Sequence, residues 1–147
     1  MTERIVLGMV AGIVAAAATA GAELAFGWRL GDALGPFTAT GWRLVPPLPA
    51  TLAAALGIIA HVVTGVIWGA VFGALAPRRR GVLVLVVSIV VTGVAALVHT
   101  FALPVFQLGA GLGGPRAPVG PVVALHILFA AMLAAGYLVL PRPTSYR

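Results

Sequence analysis

Four stretches of the chain are apolar almost without interruption, at about 5–26, 51–75, 82–103 and 121–140. Each is roughly 20 residues or longer, enough to cross ~30 Å of hydrocarbon as a helix. Their ends are marked by residues that stop a buried helix. Pro77 and the run Arg78-Arg79-Arg80 follow the second stretch, Pro104 the third and Pro141 the fourth. The third is valine-rich and would favour a strand in water, but a lone strand in lipid cannot satisfy its own backbone, so a helix is expected. The pattern predicts an all-α, polytopic membrane protein. It is one transmembrane domain over 1–147, a four-transmembrane-helix bundle with long loops at 27–49 and 104–120 and a short one at 77–81. The first stretch can also be read as a cleaved signal peptide ending in the small run Ala18-Thr19-Ala20-Gly21-Ala22. Its length and nearly neutral start favour a retained span.

Within the spans the small residues are periodic. The second carries Ala53, Gly57, His61, Gly65, Gly69 and Gly73 at every fourth position, and the first carries Gly8, Gly12, Ala16 and Ala20. Residues four apart share a helix face. Water exclusion does not press helices together inside lipid, so close backbone approach must do so, and small residues permit it. These stripes are expected to be helix–helix interfaces. A glycine face clearing room for a flat cofactor is the functional alternative.

Each span also places one ionisable side chain on its small or polar stripe. Glu23 follows Ala20 by three residues, His99 follows Ser88, Thr92 and Ala96, and His126 leads Ala130, Ala134 and Tyr137. His61 interrupts the glycine stripe itself. An ionised group facing lipid costs about 2.5–3.5 kcal/mol even on the lenient scale, so all four are expected to turn into the bundle. Helix rise puts Glu23, His99 and His126 in one layer and His61 roughly 8 Å deeper. Three histidines and a carboxylate are acceptable ligands for a metal ion, and histidines on facing helices could hold a haem. The same groups could relay protons or bind a solute in a small transporter. They could also simply hydrogen-bond across helices. No HExxH motif, Ser-His-Asp set or phosphate-cradling glycine loop is present, so an enzyme is not expected.

Charge decides orientation. Only 8% of residues are charged against 61% hydrophobic, too few to cover a globule in water. The net charge of +6 comes from nine arginines and no lysine, scattered over ends and loops. They form no basic face interleaved with aromatics, so nucleic acid is not an expected partner. Arg4, Arg78, Arg79, Arg80, Arg142 and Arg147 fall on one side, and Arg29, Arg43 and Arg116 on the other. The positive-inside rule then puts both termini in the cytoplasm. The first long loop repeats a tetrapeptide, Gly27-Trp28-Arg29-Leu30 and Gly41-Trp42-Arg43-Leu44. Trp28 and Trp42 beside snorkelling arginines suit an interfacial anchor, with a lid over the bundle as the alternative. Asp32 reads as a solvated cap, Trp68 as facing lipid or a neighbouring helix, and Tyr137 as an interfacial residue. Cysteine is absent, which excludes disulfides.

The His61-x3-Gly65-x3-Gly69-x3-Gly73 stripe, with a second histidine opening the last span, resembles small bacterial four-helix integral membrane proteins. That likeness implies no activity. Arginine used to the exclusion of lysine resembles the usage of GC-rich bacterial genomes, which implies the inner (cytoplasmic) membrane. The expected role is an accessory or structural four-helix subunit. Its expected partners are the lipid bilayer and either further copies of the chain, through stripes left over on the bundle, or a larger membrane complex.

Overall fold

The computed structural model describes residues 1–77, 81–102 and 119–140. Residues 78–80, 103–118 and 141–147 and the Trp28 side chain lie outside the described residues, and with them most of the arginines on which the expected orientation rests. The described residues are all helical apart from turns. Helix α1 is Thr2–Arg29, α2 Gly35–Leu44, α3 Ala50–Leu75, α4 Gly81–Leu97 and α5 Val119–Val139. A widened π-helical turn, Val98–Ala102, extends α4. Four of the five helices, all except α2, are long and apolar enough to cross a membrane.

The packing is inside out by the standard of a water-soluble bundle. The interior is built from Ala11, Ala15, Ala16, Ala53, Ala54, Ala130 and Ala134 with few large side chains. The branched aliphatics Val10, Ile13, Ile59, Val63, Ile67, Ile89, Val90 and Ile127 stand exposed on the perimeter. Small residues inside allow backbones to touch, which is how helices gain dispersion energy where burial from water offers none.

Helices α1 and α3 meet backbone to backbone. A Cβ built on Gly8 would strike the Gly69 carbonyl oxygen and stand 2.7 Å from Gly73 Cα. One on Gly12 would strike the Gly65 carbonyl and stand 3.0 Å from Gly69 Cα. The stripe on α3 is thus used along its second half by the stripe on α1. Its first half is used by α2: Ala53 backbone lies against Gly41, and Phe37 backbone against Gly57. Two successive helices consume one continuous stripe, and His61 sits where one hands over to the other. Both halves of the α3 stripe are thus covered within the chain.

Helix α2 corrects the reading of 27–49 as a loop. Pro36 opens the helix in its first turn, and Phe37, Thr38 and Gly41 are buried on one face against α3. The sequence hid it because one short turn of apolar residues carries too little periodicity. The repeated tetrapeptide has a structural meaning: both copies end helices, with Arg29 in the last turn of α1 and Arg43 in that of α2. A cation there opposes the negative end of the helix dipole. Trp42 donates its indole N–H to the Leu48 carbonyl at 2.7 Å, fixing the return into α3. Between α1 and α2 the chain reverses at Gly31, whose φ of 79° is open to glycine at no steric cost.

Helix α5 packs on the other side of α1, and α4 packs on α5. At the Arg4 end the bundle is solid, with Phe72, Val84, Val91, Leu133 and Tyr137 in one core cluster. Tyr137 is only 2% exposed and meets Phe72 edge-on at 5.1 Å, so it is a core residue and not an interfacial one. Arg4 reaches across from α1 to donate to the Ala76 carbonyl at 2.9 Å, capping α3.

Candidate functional site

At the other end of the bundle the four long helices part around a cavity of about 100 Å³. Helical spacing explains which side chains reach it. Helix α3 contributes His61, Thr64, Gly65 and Trp68, positions i, i+3, i+4 and i+7 on one face. Helix α1 contributes Thr19 and Glu23, α4 Thr92, Ala95 and His99, and α5 Leu125, His126 and Phe129. Glu23, His61, His99 and His126 all line this one cavity. His61 is level with Ala16 and Thr19, one turn along α1 from Glu23, so the cavity spans both of the depths that helix rise assigns.

His61 is the best anchored of the four. Its Nε2 lies 3.2 Å from the Ala16 carbonyl oxygen and 3.0 Å from Thr19 Oγ1. A carbonyl can only accept, so Nε2 carries the hydrogen. Thr19 in turn directs its hydroxyl at the carbonyls of Ala15 and Ala16, at 3.0 and 3.1 Å. Phe37 of α2 closes edge-on over the His61 ring at 5.7 Å. His126 obeys the same logic within its own helix: Nδ1 lies 2.9 Å from the Val122 carbonyl and must be the protonated nitrogen. In the neutral rings this leaves Nδ1 of His61 and Nε2 of His126 as bare lone pairs.

His99 stands between Trp68, edge-on at 6.3 Å, and His126, tilted at 6.5 Å between ring centroids. It is carried on the π-helical turn. Such single widened turns recur at functional sites, because the extra residue re-aims the side chains on the turn. Sequence periodicity could not reveal this, since a π turn leaves the apolar run unbroken. Trp68 is a wall of the cavity, where the sequence allowed lipid or a neighbouring helix.

Thr92 was legible as a stripe residue but its state was not. It is 3% exposed, and its Oγ1 has no hydrogen-bond partner among the described residues. A threonine in a helix ordinarily returns its hydroxyl to the preceding turn, as Ser88 does to the Leu85 carbonyl at 2.8 Å. Leaving a buried hydroxyl unpaired costs roughly 1–3 kcal/mol. Thr92→Val, which keeps the shape and removes the hydroxyl, should therefore raise thermal stability in detergent by about 1 kcal/mol. A lower melting temperature for that variant would show that the hydroxyl is paired in the folded protein.

Among the described residues no three His, Asp or Glu side chains are grouped as a metal ion requires. Zinc, for example, takes histidine nitrogens at about 2.0–2.1 Å, so its ligands must nearly touch one another. No family model, curated protein or solved structure matches the chain.

Proposed function

We propose that the chain is a multi-pass protein of the bacterial cytoplasmic membrane, both termini cytoplasmic, serving as an accessory subunit that holds a small polar solute. The observation that carries this reading is the shared cavity. Every histidine in the chain and the carboxylate of Glu23 line it, in a bundle otherwise made of small and aliphatic residues. Ionisable groups at membrane depth are costly and are kept where they meet a ligand, an ion or each other.

Membrane insertion is supported by the four long apolar helices and the aliphatic perimeter. Orientation rests on the arginine distribution of the sequence. The cavity then opens in the half of the membrane away from the cytoplasm. Its floor is Trp68 and Phe129, which pack on the apolar core that holds Phe72 and Tyr137. A solute held there is bound and not conducted, which favours a binding subunit over a channel.

A purely structural bundle is the second reading, favoured by the clamp of His61 on Ala16 and Thr19. Because the chain lacks cysteine, single cysteines separate the two. Thr64→Cys should react with a small membrane-impermeant thiosulfonate added from the non-cytoplasmic side, and Ser88→Cys, buried beneath the floor, should not. If Thr64→Cys is inert from both sides, the cavity is sealed and the structural reading holds.

A further inference from the structure

The polar groups around the cavity are one-sided in their chemistry. His61 and His126 each spend their ring N–H on a backbone carbonyl, at Ala16 and Val122. What each neutral ring has left is an acceptor. His99 has no hydrogen bond among the described residues, and neither a hydrogen bond nor an ion pair is described for Glu23. The hydroxyl of Thr92 is unpaired and nine-tenths buried or more. Among the described residues that line the cavity there is no lysine or arginine. The N–H donors left to a ligand are the Trp68 indole and one nitrogen of a neutral His99, and the acceptors of Glu23, His61, His99 and His126 outnumber them. Such a wall suits a ligand that brings N–H donors and positive charge.

Metal ions meet that description in charge but not in spacing, since among the described residues no three ligating side chains are grouped at coordination distance. A larger cation whose contacts are hydrogen bonds of about 2.9 Å spans acceptors that are further apart. Trp68 and Phe129 complete the lining, and aromatic walls attract a desolvated cation. The cavity, about 100 Å³, suits a small ligand, since an engineered cavity of about 150 Å³ takes up benzene.

Resting on the reading of the cavity as a solute site, we propose that its ligand is a small ammonium-type cation, ammonium itself or a short primary amine. Glu23 supplies the counter-charge, and the bare nitrogens of His61, His99 and His126 with the Thr92 hydroxyl accept its N–H groups.

The test is calorimetric titration of the full-length protein in detergent with methylammonium chloride, with zinc chloride and sodium acetate titrated in parallel. Methylammonium alone should bind with 1:1 stoichiometry. Glu23→Gln, which keeps size and hydrogen-bonding reach, should weaken it by about tenfold or more, equivalent to about 1.4 kcal/mol. Gly93→Ala, whose new Cβ meets nothing within 4 Å, should leave it unchanged. Should Glu23→Gln fail to fold, His99→Gln provides the second arm, with the same loss expected. Zinc or acetate binding in place of methylammonium overturns the ammonium assignment while leaving the solute site standing. Absence of binding by all three, with Thr64→Cys reactive, overturns the assignment alone. With Thr64→Cys inert as well, both fall.

Discussion

Gly69→Ala should destabilise the bundle by about 3 kcal/mol, whereas Gly93→Ala should stabilise it by up to about 1 kcal/mol. The same methyl group is added to a helix in both cases, and alanine is the better helix former in both. Only the surroundings differ. At Gly69 the new Cβ would strike the Gly8 carbonyl oxygen and stand 2.9 Å from Gly12 Cα. Those are backbone atoms of α1 and cannot rotate away, so the two helices must separate. Separation loses contact along the whole seam from Gly8 to Gly12, because dispersion falls off within an ångström. At Gly93 on α4 nothing lies within 4 Å of the added atom. Melting curves in one detergent, followed by loss of monodisperse protein, give both signs. Equal melting temperatures for the two variants would mean that α1 and α3 are not in backbone contact.

Phe72→Ala should cost about 3 kcal/mol and also change what the cavity is. Phe72 is 0% exposed, the largest of the fully buried side chains, and it carries the edge-on contact with Tyr137. Truncation leaves a void that small, rigid neighbours such as Ala11 and Ala15 cannot fill. It also removes the support beneath the floor residue Trp68, one helical turn away. The expected consequence is that Ser88→Cys, unreactive in the parent, becomes reactive toward the same thiosulfonate when combined with Phe72→Ala. A double variant that melts lower but stays unreactive at position 88 would show that the floor lies elsewhere.

The accessory-subunit reading and the cation assignment depend on different properties of the same cavity, its access and its acceptor-lined wall. Access is fixed by how the four long helices part around the cavity. The wall is fixed by two backbone carbonyls that dictate where the imidazole hydrogens sit. Neither rests on the proposed orientation, so an inverted topology would leave the chemistry of the cavity unaltered.

The sequence by itself determined the four long helices, because apolar runs of that length have one conformation that satisfies their backbone in hydrocarbon. It also singled out Glu23, His61, His99 and His126, since ionisable groups are conspicuous among alanine and valine. Tertiary structure alone decided the rest. Which stripe meets which depends on contacts between helices far apart in the chain, and a stripe read in isolation does not name its partner: Gly65, Gly69 and Gly73 went to α1, and Ala53 and Gly57 to α2. A π turn at His99 leaves the sequence pattern intact, so only coordinates reveal it. Tyr137 shows the same limit, because its position near a helix end suits an interface until Phe72 is seen beside it. The hydrogen on each imidazole was likewise set by a carbonyl across or along the fold, a relation that no spacing in one helix encodes.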